Sequence, residues 1–339
     1  MFFKFLFLFP SIVLAVLAVS FEEYHNIYQL WLTKYQTNHS MPILANFITN
    51  YHYIQKHNND PSNTYTLSLN QFAGLNINNL SSGLKSSIKV SINETKVSIK
   101  PYFDKLHFNN SLPNEINYVK LGYNTPVRDQ GQCGSCFAMS AIEAVESAFY
   151  KITKKTVILS AQQIVSCDNE DSGCNGGLME HVFDWIPKNG GLCLESDYKY
   201  ISGLSQNNEV CLTTCKKIPM KILTMNVNHK ETDLQDALVN LGPLAVAIEA
   251  DQMAFRFYNS GVITGSCGAK LDHGVLLMGY GTDNSNPEKP VDYWLLKNSW
   301  SDQWGEKGYF RIQRNKKTWS KVGECGIAAD ASYPVLNLS

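Results

Sequence analysis

The chain has 339 residues, 44% hydrophobic and 12% aromatic, with 29 basic against 30 acidic side chains. That is enough apolar material for a sizeable core in one or two domains. A formal net charge of −1 gives no electrostatic basis for binding nucleic acid. Nine cysteines are too many to pass as small core residues, and their odd number leaves one outside any set of disulfides.

Lys4 is the first charge and none follows before Glu22. From Phe5 to Val19 the chain is apolar except for Pro10 and Ser11, and Ala18 and Ser20 offer small residues where a signal peptidase reads. Residues 1–20 are therefore expected to be a cleaved signal peptide. A membrane anchor is the alternative, but a run of about 15 apolar residues falls short of the ~20 that span a bilayer. No second long apolar stretch follows, so no membrane attachment is expected after cleavage. The chain is expected to enter the secretory pathway, bound for a lysosome or other acidic lytic compartment, or for export.

Residues 21–111 contain no cysteine and are rich in asparagine. Glycosylation acceptor triplets begin at Asn38, Asn79, Asn93 and Asn109, with a fifth at Asn337. Phe21, Tyr24, Tyr28, Trp31, Leu32 and Tyr35 recur at three- and four-residue steps, as do Phe47, Tyr51, Ile54 and Asn58, which predicts two amphipathic helices. After the turn signal Asp60-Pro61, the alternation from Tyr65 to Leu69 predicts a short strand. Residues 81–100, rich in Ser, Lys and Asn without periodicity, have the texture of a linker.

From Leu112 onward the chain changes to Gly punctuation, cysteines and clustered Trp. A helix is expected to start near Cys136, with Ile142, Val145, Phe149 and Ile152 on one face. Short apolar or alternating runs at Leu244–Ala250, Gly274–Gly281, Tyr293–Lys297 and Gly308–Gln313 read as strands. A helical half followed by a strand-rich half is an α+β arrangement, with no internal repeat.

The chemistry is concentrated in Gln130-Gly131-Gln132-Cys133-Gly134-Ser135-Cys136-Phe137. Cys133 and Cys136 at a helix start could form a redox pair, since a helix N-terminus stabilises a thiolate. They could equally be inert disulfide partners. The count weighs against both, because one nucleophilic cysteine plus four disulfides uses all nine. Of eight histidines, five precede Leu112, leaving His181, His229 and His273. His273 lies in Leu271-Asp272-His273-Gly274-Val275, and Lys297-Asn298-Ser299-Trp300 and Trp304-Gly305-Glu306-Lys307-Gly308-Tyr309 follow it.

These segments together resemble the papain-like cysteine proteases of the cathepsin L type, in precursor form. The separation of Cys136 and His273 lies within the roughly 130–150 residues of that family. The resemblance implies a two-lobed α+β fold: a helical lobe carrying Cys136, a β-barrel-like lobe carrying His273 and Asn298, and the cleft between. A helical inhibitory pro-region over 21–111 would precede a mature enzyme over 112–339. Cys136 would be the nucleophile, His273 its acid and base, Asn298 the orienting residue and Gln130 a side-chain donor of the oxyanion hole. Trp300 would shield the His273–Asn298 bond. Thiol and imidazole would form an ion pair, as papain's do.

By the same resemblance, Gly176 and Gly177 would pair with the substrate backbone like an added strand. Leu178, Met179, Ala250, Leu271 and Asp272 would also line the cleft, with Asp330 at the floor of the pocket for the second side chain on the acyl side. Disulfides Cys133–Cys174, Cys167–Cys211 and Cys267–Cys325 are implied, with Cys193 and Cys215 left to pair as an extra bridge. Phe137 and Ser301 stand where the family has Trp or Tyr, and Gly. In the pro-region, Phe47, Asn50, Ile54 and Asn58 match the inhibitory helix, but His39 and Ile43 stand where Glu and Arg are usual. Ser68–Gly74 resembles a second motif that normally ends in Asp, so its acidic trigger is missing. The expected partners are protein and peptide substrates and the chain's own pro-region, the chain acts as a monomer, and no cofactor or metal is implied. A thiol–disulfide oxidoreductase gives His273 and Asn298 no role, and a non-catalytic binding protein needs a broken trio.

Overall fold

The computed structural model describes residues 21–76, 112–123, 125–227, 229–265, 267–315 and 322–338. The expected signal peptide, the linker texture over 81–100, and Asn79, Asn93 and Asn109 lie outside the described residues.

The two apolar stripes of the N-terminal segment become α1 (Phe21–Lys34) and α2 (Met41–Asn58). Ser40 caps α2 by accepting the Ile43 N–H, and Pro42 sits in the first turn, where a missing donor does no harm. Tyr28 and Trp31 of α1 meet Phe47 of α2 with ring centroids 5.0 and 5.3 Å apart. The two asparagines in the α2 stripe act as staples. Asn58 donates to Leu67 O and accepts from Leu67 N–H, and Asn50 donates to Ala73 O. The chain that follows α2 and ends at Leu67 forms β1 (Tyr65–Leu67), two residues shorter than its alternation suggested.

The remainder begins with β2 (Ile116–Asn117), α3 (Cys136–Thr153), α4 (Ala161–Cys167), α5 (Met179–Lys188), β3 (Leu192–Cys193), α6 (Ser202–Ser205) and β4 (Lys217–Ile218). It continues through β5 (Lys221–Asn226), α7 (Glu231–Leu241), β6 (Leu244–Ile248), α8 (Met253–Arg256) and β7 (Tyr258–Ile263). Then come β8 (His273–Asp283), β9 (Val291–Lys297), β10 (Tyr309–Gln313) and β11 (Ala331–Asn337). The large sheet runs β1-β7-β10-β9-β8-β6-β11-β5, with β2 pairing β8. Its pairs are antiparallel except β10 with β7. The N-terminal segment thus supplies an edge strand to the sheet of the strand-rich half.

Helix α3 packs across β8, the strand that begins with His273. It is buried from Cys136 to Ala148 on every side, while Ile152 is exposed. The single apolar face expected for it is therefore wrong: a helix enclosed between helices and a sheet has no wet side to create a period. Four disulfides join Cys133 to Cys174, Cys167 to Cys211, Cys193 to Cys215 and Cys267 to Cys325. The first three lie in the helical half. Among the described residues, no helix is long and apolar enough to cross a membrane.

Candidate active site

The loop before α3 is built to expose helix N–H groups. Gly131 takes φ +57°, and a Cβ there would come within 2.5 Å of Gly203 O, so the tight approach requires glycine. Gln132 N–H donates to Gly203 O, Gly134 N–H to Cys174 O, and the Cys133–Cys174 disulfide holds the same turn. With Cys133 bound to Cys174, the Cys133/Cys136 redox pair is absent from this structure, and Cys136 keeps its thiol at the first position of α3, fully buried.

Strand β8 brings His273 to that thiol. The N–H of the next residue, Gly274, donates to Cys136 Sγ at 3.3 Å. His273 Nε2 lies 2.7 Å from Asn298 Oδ1, at the end of β9, and the same oxygen accepts the Ser299 N–H at 2.8 Å. Because Asn298 Oδ1 already accepts a backbone donor, the shared hydrogen belongs to His273 Nε2, which assigns the tautomer from the network. That leaves Nδ1 as the ring nitrogen without the hydrogen. The Trp300 ring lies 4.8 Å from the imidazole ring and covers it, and Phe255 and Trp304 pack behind Trp300.

Gln130 is 2% exposed, and its amide is oriented as unambiguously. Its Oε1 accepts from Ser299 Oγ at 2.8 Å, and its Nε2 donates one hydrogen to Cys133 O at 3.0 Å. The second Nε2 hydrogen takes no part in either contact. Ser299 is the residue here that the sequence reading passed over, although it lies inside the Asn298 motif.

On the acyl side, a Cβ on Gly177 would come within 2.5 Å of both the Phe137 ring and the Asp171 carboxyl. Phe137 thus fills the space beneath the glycine loop without a polar handle. Asp171 Oδ1 accepts the Leu178 N–H and lies 3.0 Å from His181 Nδ1, a brace with no signal in the sequence. Gly176 is buried at φ +99°, Met179, Ala250 and Leu271 are buried, and Leu178 is half-buried. Asp330 is 6% exposed and joins β6 through its carbonyl, which accepts the Ala247 N–H. Asp272 accepts the Ala250 N–H at 2.8 Å. Asn38 and Asn337 are exposed.

Burial pushes the Cys136 thiol up to about 12; the Gly274 N–H pulls it down and the Asp272 carboxylate adds to the rise. Burial likewise pushes Asp272 up to about 7, against the Ala250 N–H. In this structure, with the N-terminal segment in place, burial opposes a charge on the Cys136 sulfur, because a sulfur removed from water cannot hold its charge cheaply. That segment reaches the site directly: Gln71 Nε2 donates to Trp300 O, the Phe72 ring packs edge-on at 5.1 Å from Trp300, and Asn70 Nδ2 donates to Arg256 O. Gly74 stands where an Asp was expected, and a Cβ there would strike Trp31 and Ile43 at 2.6 and 2.8 Å. Ile43 itself stands where Arg was expected. The two charges are therefore lost together, replaced by an apolar contact, and His39 packs on Tyr28, its Nδ1 3.1 Å from the phenol oxygen.

Sequence comparison matches residues 112–335 to the papain family cysteine protease domain and residues 21–78 to the cathepsin propeptide inhibitor domain. Among relatives, the probable cysteine protease RD21C of Arabidopsis thaliana is 36% identical over 323 residues, 92% of this chain and 68% of its own. Germination-specific cysteine protease 1 of the same plant is 37% identical over 335 residues, 93% of this chain and 85% of its own. The proform of Amb a 11, a cysteine protease and major ragweed pollen allergen, superimposes with a TM-score of 0.78 at 30% identity, covering 94% of this chain and 96% of that one. The chain belongs to the papain family of cysteine proteases and carries that family's propeptide inhibitor domain ahead of the protease domain.

Proposed function

We propose that Cys136 is the nucleophile of this cysteine endopeptidase, His273 its acid and base, Asn298 the group that orients His273, and Gln130 with the Cys136 N–H the oxyanion donors. The observation that carries the assignment is the pairing of His273 Nε2 with Asn298 Oδ1 together with the bond from the next residue, Gly274 N–H, to the Cys136 sulfur. His273 Nδ1 takes the thiol proton as sulfur attacks the peptide carbonyl, and the negative charge gathers on the carbonyl oxygen. Collapse expels the amine, which takes the proton from Nδ1 and leaves a thioester. Water, deprotonated by the same nitrogen, then hydrolyses the thioester and restores the thiol. Each oxyanion donor contributes about 3 kcal/mol in comparable sites.

The chain is made as a precursor whose own propeptide is its intramolecular inhibitor. We place the signal peptide at 1–20, the pro-region at 21–111 and the mature enzyme at 112–339, acting as a monomer. The two matched segments, 21–78 and 112–335, fall within the last two of these. Passage through the secretory pathway, with sugars on the acceptor asparagines, is supported by the apolar N-terminus and four disulfides. The destination is an acidic lytic compartment or the exterior.

Cys136→Ala, made in the full precursor and activated by a second protease, is expected to fold and to lack peptidase activity. Cys133→Ala is expected mainly to weaken folding. Full activity in folded Cys136→Ala enzyme overturns the assignment.

Asp330 extends the reading to specificity. Buried beside β6 and following Cys325, it would place a carboxylate at the end of a pocket walled by Met179, Ala250 and Leu271. Such a pocket takes Leu or Phe, and also Arg, whose stem packs on the walls while its head meets the charge. The ratio of kcat/KM for Arg- and Leu-containing peptides should fall in Asp330→Ala; an unchanged ratio means that Asp330 does not read the substrate.

A further inference from the structure

Tyr200 lies outside the catalytic trio, yet its hydroxyl stands between the two ends of the nucleophile loop. It donates to Gln130 O at 2.9 Å and lies 2.7 Å from Ser135 Oγ. A phenol has one hydrogen to give. With that hydrogen on Gln130 O, the second bond must run from the Ser135 hydroxyl to the phenol oxygen. Gln130 and Cys136, the residue after Ser135, supply the two oxyanion donors, so one hydroxyl spans the frame on which both are mounted.

The hydroxyl is delivered on a rigid arm. Tyr200 N–H donates to Glu195 Oε1, and the buried Gln162 Oε1 accepts the N–H groups of both Ile201 and Ser202, at 2.8 and 3.0 Å. Ser135, by contrast, occupies the N-cap position of α3, where a serine hydroxyl ordinarily accepts the N–H of the second or third helical residue. Here it makes no such bond, and its backbone, at φ −99° and ψ 16°, is outside the extended conformation of a capping residue. The N–H groups of the first turn of α3, which begins at Cys136, are therefore not taken up by the Ser135 side chain.

We propose that Tyr200 is a positioning residue for catalysis: it holds the Ser135 hydroxyl away from the first turn of α3, so that the positive end of the helix is left to stabilise the Cys136 thiolate, while fixing Gln130 in the same frame. The inference rests on Cys136 being the nucleophile. Without the phenol oxygen, buried Ser135 has no partner for its hydroxyl and turns to accept the Phe137 or Ala138 N–H, which weakens the field that those donors exert on the Cys136 sulfur.

The test uses Tyr200→Phe, Ser135→Ala and the double variant, each expressed as the full precursor, activated by pro-region removal and counted by active-site titration. In Tyr200→Phe, kcat falls by roughly tenfold to a hundredfold with KM changed less than about twofold. The pH midpoint for alkylation of Cys136 rises by about one unit. Adding Ser135→Ala removes the competing hydroxyl and restores kcat by about fivefold or more over Tyr200→Phe. A double variant no more active than Tyr200→Phe, or a Tyr200→Phe enzyme with the wild-type kcat, overturns the proposal. Should Tyr200→Phe fail to fold, Ser135→Ala by itself decides: its alkylation midpoint stays at or below the wild-type value if the hydroxyl is a competitor, and a raised midpoint overturns the idea. Cys136→Ala run alongside keeps the two questions apart, since activity surviving there removes the nucleophile itself, whatever Tyr200 does.

Discussion

Lys297 Nζ lies 2.9 Å from Glu143 Oε1, with both side chains 1–2% exposed. Glu143 lies on α3, two turns after Cys136, and Lys297 ends β9 immediately before Asn298. The pair therefore ties the helix of the nucleophile to the strand that orients the base. The Lys297 ammonium is completed by Thr125 O, Thr125 Oγ1 and Pro126 O, and burial raises Glu143 against the pull of Lys297 and Arg128. Taking both charges out of water costs several kcal/mol per ion, so the pair is weak evidence for stability but a strong constraint on geometry.

Removing one partner strands the other. Lys297→Met should destabilise the precursor by about 3–5 kcal/mol. Lys297→Met with Glu143→Leu should recover most of that in urea denaturation, while leaving activity reduced because Asn298 is less firmly held. Equal stability of the single and double variants would show that the charges are not coupled.

Asn298→Ala removes the acceptor that fixes the imidazole through Nε2. The expected loss is about a hundredfold in kcat with KM nearly unchanged, on the scale of a misoriented catalytic group. Steady-state kinetics on titrated enzyme measure it, and a change confined to KM would assign Asn298 to substrate binding instead.

Asp272 gives a signed pH effect. Its folded pKa of about 7 lies above the ordinary value of an unfolded Asp, so between about pH 4 and pH 7 the folded chain holds a proton that the unfolded chain has lost. Stability from this group is fully present below pH ~4 and declines as pH rises, by up to about 1.4 kcal/mol per pH unit, until pH ~7. Asp272→Asn should flatten that part of the stability profile. Matching slopes in the two proteins would locate the titration elsewhere.

Ser301 adopts φ +72°, a left-handed conformation that suits glycine, and the turn is held by its N–H on Arg128 O. Serine, standing where the family has Gly, thus holds this turn at the expense of strain. Ser301→Gly should raise stability by about 1 kcal/mol, read as a shift in denaturation midpoint; a loss would mean that the Gln303 N–H bond to Ser301 Oγ outweighs the strain.

The parts legible in the sequence were those in which one short segment carries its own geometry. Residues 130–137 and 297–300 lie contiguous around the site, and the strands His273–Asp283 and Tyr309–Gln313 fall within two residues of the apolar runs that predicted them. Helices α4, α5 and α7 and strands β5, β7 and β11 were not anticipated. β7 carries little alternation, whereas Leu234, Ala237, Leu238 and Leu241 of α7 do have helical spacing and were passed over. Illegible too were Glu143 with Lys297, Asp171 with His181, and Tyr200 with Gln130. Each joins residues whose meeting is decided by packing, with no period to announce it.

Strand β7 carries a consequence for the enzyme after activation. In the precursor its outer side is occupied by β1, with Tyr65 opposite Gly261 and Thr66 opposite Ser260, while Thr64 O accepts the Val262 N–H and Thr64 Oγ1 donates to Val262 O. Departure of the pro-region leaves that row of amides and carbonyls as a bare sheet margin, and Gly261, at φ +98°, has no side chain to screen it. Bare margins are templates for further strands. The protease freed of that segment therefore carries a sticky rim, open to any extended chain in its surroundings, its own discarded segment among them.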